Sequence, residues 1–194
     1  MTRYPVVRIS LNWYTKYRSI AFGTLARQLA AIAVLALLVR LVLLIFAYPT
    51  WEQGMTLESE AKSLLEGNGY SLLVTTPEGE TQLIPSVYDM PGFPLILAGT
   101  WKLTGSQSFL WIQSIQIILD VMMIFLIYRT IEPLMGSRIG ILSALLYSIY
   151  LPQATAAVQP MRDVWATFGT ISSVAMFLQS VSYTHLTLPT NREV

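Results

Sequence analysis

Four long apolar runs in a chain of 194 residues leave few folds open. Hydrocarbon offers no partner for a backbone N–H or C=O, so a segment that crosses a membrane must be a helix or part of a closed barrel. Runs of roughly 20 apolar residues match the helical solution. The first covers 29–48, with Arg40 as its only charge. The second covers 109–131, the third 139–158 and the fourth 161–181. Pro152 falls inside the third and predicts an early end or a kink there. Composition agrees: 54% of residues are hydrophobic and 12% charged, less charge than water-soluble domains carry. The fold expected is an all-α integral membrane protein of four helices. With no cysteine in the chain, disulfide frameworks and thiolate metal sites are excluded.

The charges set an orientation. Residues 1–28 hold Arg3, Arg8, Lys16, Arg18 and Arg27 and no acid. The loop 49–92 holds Glu52, Glu58, Glu60, Glu66, Glu78, Glu80 and Asp89 against Lys62. The positive-inside rule puts the N-terminus in the cytoplasm and the loop 49–108 outside, with Arg129 and Arg138 inside again. A cleaved signal peptide is the rival reading of the first run. The long basic stretch before it and the missing small-residue cleavage site argue against that. Trp13 to Arg18 mixes aromatics with cations, which suits either a helix on the anionic cytoplasmic face or an unstructured tail.

The outer loop has its own pattern. Leu57, Ala61, Leu64 and Leu65 form one helical stripe from Thr56 to Glu66, so this amphipathic helix is expected to lie on the outer leaflet. The acids and Lys62 occupy other faces, with Glu58 and Lys62 at pairing distance. Gly67 is a stop signal. Two apolar runs, 70–75 and 81–84, flank Pro77-Glu78-Gly79-Glu80 and predict a small hairpin. The apolar stretch after Pro91-Gly92-Phe93-Pro94 is too short to span and reads as a re-entrant or interfacial helix.

Taken in order, these features resemble the N-terminal part of the polyprenyl-phosphate-sugar-dependent glycosyltransferases of the type C fold, the group of protein O-mannosyltransferases and the lipid A aminoarabinose transferase. Ala61 to Tyr70 is similar to the family's A-x-x-L-x-x-G-x-G-[YF]. Pro91 to Ala98 is similar to its P-x-[YF]-P-[LI]-x-L-A, and Tyr150-Leu151-Pro152 to its "l-Y-P". The resemblance covers about residues 29–180. It implies sugar transfer from a polyprenyl phosphate to a lipid, glycan or protein hydroxyl on the outer face of the plasma (inner) membrane. One position departs from the pattern: Gln53 stands where the family carries an acid, and Glu52 is the nearest carboxylate.

Such a reaction needs a carboxylate to take the acceptor's proton. It also needs a cation or helix N-terminus to steady the departing phosphate and an apolar groove for the lipid. The catalytic candidates are Glu52 at the membrane boundary, then Asp89 and Glu58. Lys102 and Arg162 are the candidate phosphate partners, with snorkelling to the interface as the plain alternative. Asp163 fits a helix N-cap or a metal ligand. No cofactor is assigned, and a divalent metal stays open. Arg40 and Asp120 each lie eleven residues into a span, ~17 Å deep at ~1.5 Å per residue. An isolated charge at that depth costs roughly 2.5–3.5 kcal/mol, so the two are expected to pair across helices as a structural element.

The end of the chain reads differently. Residues 182–194, with the only histidine, resemble translated sequencing-adapter read-through, so the natural frame is expected to continue past about residue 181. The competing functional reading is a membrane scaffold or carrier subunit that binds through its acidic loop. A phosphate-cradling Gly-rich loop, a Ser/His/Asp set and a basic nucleic-acid patch are all absent from the sequence.

Overall fold

The structure is a computed structural model, and it describes residues 11–47, 56–76, 79–87 and 90–187. It is mostly helical. Helix α1 (Leu11–Ala47) is followed by α2 (Thr56–Leu65) and a hairpin of β1 (Ser71–Thr75) and β2 (Thr81–Pro85). Then come α3 (Gly92–Thr104), α4 (Phe109–Met135), α5 (Ser137–Ser148), α6 (Leu151–Val158) and α7 (Asp163–Thr187).

Among the described residues, two helical segments are long and apolar enough to cross a membrane: Gly23–Phe46 within α1, and α4. A third is gained if α5 and α6, bent by 55° at their junction, count as one span. These helices show two to three of the four spans expected. The fourth, expected over 161–181, falls on α7, whose stretch Asp163–Leu178 is apolar. Two helices run beyond the expected spans. α1 begins at Leu11, so the basic segment from there continues the span's own helix; no proline interrupts residues 11–47. α7 runs through position 182 to Thr187, because no helix breaker precedes Pro189.

Local chemistry explains the element ends. α2 stops at Gly67 in the left-handed region (φ +80). There the Asn68 N–H reaches the Ser63 carbonyl at 2.9 Å and the Gly67 N–H reaches Leu64 at 3.3 Å, the Schellman pattern that satisfies a helix's last carbonyls. Ser108 caps α4, its hydroxyl accepting from the Leu110 N–H at 3.3 Å. α4 and α5 are joined by Gly136 alone, at φ +88, which folds them back on each other. Gly140 then lets the pair close up: an added Cβ would meet the Tyr128 ring at 3.0 Å.

The buried side chains form three groups. One joins α1, α4 and α5 through Leu29, Ile32, Ala36, Ile124, Tyr128 and Ala144. A second joins α4, α6 and α7 through Met123, Ala157 and Val164. The third lies at the α3–α4 end and contains Ala61, Phe93, Leu97, Ala98, Trp101 and Ile112.

That third group corrects the reading of α2. Its apolar stripe is not turned to the outer leaflet. Ala61 is fully buried, and Leu57, Leu64 and Leu65 pack against the α3 residues. α3 is apolar around most of its circumference, so it offers α2 a closer apolar partner than lipid. Beyond α2, the hairpin pairs antiparallel from Ser71 with Pro85 to Thr75 with Thr81. The Leu73 N–H donates to the Ser59 hydroxyl of α2 at 3.1 Å.

Candidate functional site

Two polar arrangements are built into apolar surroundings. The first is centred on Arg40, which is fully buried, as is Asp120. The Arg40 Nε–H donates to Asp120 Oδ2 at 2.7 Å. Arg40 Nη1 donates to the Ala36 carbonyl at 3.3 Å and to the Ser148 carbonyl at the end of α5. The Tyr147 hydroxyl donates to Asp120 Oδ1 at 2.7 Å. Three helices are thus tied by one charge pair whose carboxylate accepts on both oxygens. Such satisfaction is what makes a buried pair tolerable, because desolvation otherwise exceeds the attraction. Among the described residues, Arg40 Nη2 is buried with no acceptor.

The second arrangement lies in the α2–hairpin–α3 unit. Glu60 is fully buried and accepts from the Ser86 hydroxyl through Oε1. Its other oxygen is buried with no partner. This corrects the expectation that every acid of α2 faces away from the stripe. Glu60 stands three residues after Leu57 and four before Leu64, so it flanks the stripe and is drawn under β2 when α3 covers the helix. A carboxylate in that position is costly unless hydrogen-bonded, and Ser86 supplies one bond.

The residues expected at the site fall out as follows. Glu52, Gln53 and Asp89 lie outside the described residues. Glu58 pairs with Lys62 at 2.7 Å, i to i+4 along α2; this partly exposed pair stabilises the helix by about 0.3–0.5 kcal/mol. Lys102 is exposed in the last turn of α3, where a cation complements the helix dipole. Arg162 and Asp163 are exposed at the start of α7, with Asp163 in its first turn. Near the start of α7, Trp165 packs on the cluster that contains Trp101 of α3 and Ile112 of α4; the Trp101 and Phe109 rings stand edge-on at 5.6 Å. Among the described residues no three His, Cys, Asp or Glu side chains group as metal ligands do.

Sequence reasoning missed two further positioning residues. Gln113 and Gln116 are buried on α4. Their side-chain amides donate to the carbonyls of Val158 at 2.7 Å and Met161 at 2.6 Å, fastening the end of α6 and the approach to α7 onto α4. Two glutamines three apart in an apolar run were the available signal, since polar groups in such a helix turn toward other helices.

Comparison of the chain with protein-family models, curated proteins and solved structures gives no match.

Proposed function

We propose that the chain carries the first spans and first outer loop of a membrane glycosyltransferase, which moves a sugar from a polyprenyl phosphate to an acceptor hydroxyl on the outer face of the plasma (inner) membrane. One observation supports this most. The two stretches that resemble the type C family, Ala61–Tyr70 and Pro91–Ala98, are separated by residues 71–90 yet pack on one another: Ala61 sits in one cluster with Phe93, Leu97 and Ala98. A resemblance spread by chance over unrelated segments has no reason to converge in one structural unit.

On this reading α2, the hairpin and α3 form a platform on the outer face. The N-terminus and the α4–α5 turn, with Arg129 and Arg138, face the cytoplasm. Glu52 or Asp89 takes the proton from the acceptor hydroxyl as it attacks the anomeric carbon. Lys102 and Arg162 receive the departing polyprenyl phosphate. Glu58, held by Lys62, stabilises α2 and is the weaker catalytic candidate. The acceptor is a lipid, glycan or protein hydroxyl.

The test is transfer of radiolabelled sugar from a polyprenyl-phosphate donor in proteoliposomes. Glu52→Gln or Asp89→Asn should abolish transfer while insertion and thermal stability are kept. If the protein instead binds a cationic partner through its loop and tolerates both changes in that assay, the scaffold reading replaces this one.

A further inference from the structure

A proline at position 152 leaves a specific debt four residues earlier. In a continuous helix the N–H of residue 152 would donate to the carbonyl of Ser148. Proline has no N–H, so that acceptor is vacated. Ser148 is fully buried, and a buried carbonyl without a donor costs about 1–3 kcal/mol. Arg40 Nη1 donates to this same carbonyl from α1, 108 residues away in sequence. Around it the chain breaks: Tyr150 is extended (φ −71, ψ 100) and α6 restarts at Leu151, bent by 55° from α5.

We propose that Arg40 is a cap in trans for this proline break, and that the bond positions α6 and the Arg162–Asp163 step that opens α7. The forked guanidinium suits the task. Its Nε serves Asp120 while Nη1 serves the carbonyl, a division one ammonium cannot copy in the same geometry. The far end of α6 is fixed separately by Gln113 and Gln116. The eight-residue α6 is therefore a rod of ~12 Å. Arg40 holds the chain at Ser148, three residues before it, and the two amides hold Val158 at its end and Met161 beyond. Moving the Arg40 end turns the rod about those amides and re-aims residues 162 and 163. This inference stands whether or not the protein transfers a sugar.

The full chain in detergent micelles tests it. Arg40→Leu/Asp120→Leu removes the pair without stranding either charge, and Pro152→Ala restores the missing N–H. In the Leu/Leu chain Pro152→Ala should raise the midpoint of thermal unfolding by at least ~3 °C more than it does in the parent, because only there is the Ser148 carbonyl without a donor. Equal shifts in both backgrounds overturn the cap. The absence of native cysteine allows spin labels at Phe46→Cys and Ala166→Cys, both exposed positions. The distance distribution between them should shift or broaden in the Leu/Leu chain. An unchanged distribution overturns the positioning role. If Leu/Leu does not fold, Arg40→Met/Asp120→Asn carries the same comparison.

Discussion

Removing Asp120 should cost more than removing both members of its pair. Asp120→Leu leaves the Arg40 guanidinium buried beside an apolar side chain, and breaking a buried pair from one side costs ~3–5 kcal/mol. It also strands the Tyr147 hydroxyl, which donates to Asp120 Oδ1 at 2.7 Å, for a further ~1–3 kcal/mol. The total of ~4–8 kcal/mol is most of the ~5–15 kcal/mol that holds a typical domain together. Arg40→Leu leaves the carboxylate with Tyr147 alone, ~3–5 kcal/mol by the same argument, and the Ser148 carbonyl without its donor, a further ~1–3 kcal/mol. If the two losses were independent, the double variant would lose ~8–16 kcal/mol, their sum. Instead the Leu/Leu chain should lose less than either single variant, because neither charge is then left buried alone. Unfolding by a graded rise of SDS in mixed micelles, followed by fluorescence of the five tryptophans, measures all four chains. Tyr147→Phe, expected to lose about 1 kcal/mol, separates the hydroxyl from the charge. Additive losses in the double variant would refute the reasoning.

Three other changes probe the remaining contacts. Gly140→Ala should lose about 1–3 kcal/mol, since its Cβ meets the Tyr128 ring at 3.0 Å while Glu132 holds that ring's hydroxyl at 2.6 Å; a lowered unfolding midpoint checks this. Ser86→Ala takes the Glu60 carboxylate's hydrogen bond away and should loosen the platform by about 1–3 kcal/mol, read as faster amide exchange in Ser71–Thr75 with exchange in α4 unchanged. Gln116→Leu strands the Met161 carbonyl at a similar cost of about 1–3 kcal/mol and should speed amide exchange at the start of α7.

Where the sequence was legible, a short-range period or a strong energetic penalty made it so. Arg40 and Asp120 were readable as partners because each is intolerable alone at that depth. Glu58 and Lys62 were readable from a four-residue spacing, and the bend near Pro152 from the missing N–H. The stripe of α2 was visible too, but what covers it was not: an apolar face looks the same whether it meets lipid or α3. The burial of Glu60 is illegible for that reason, since its partner Ser86 stands 26 residues away. Pro152 marks the Ser148 carbonyl as vacated, but neither Tyr147 nor the donor that reaches that carbonyl carries a local mark. Their partners appear only where α5 is brought against α4 and α1.

The proposed reaction is tested most directly by donor binding. A photoreactive polyprenyl-phosphate sugar, reconstituted with the full chain in vesicles, should label the protein in a way that unreactive donor competes away. Labelling should fall by at least ~10-fold in Lys102→Ala/Arg162→Ala, about 1.4 kcal/mol of lost phosphate contact, and be kept in Arg129→Ala/Arg138→Ala at the α4–α5 turn. Labelling that neither the competitor nor the Lys102/Arg162 change reduces would contradict the glycosyltransferase reading.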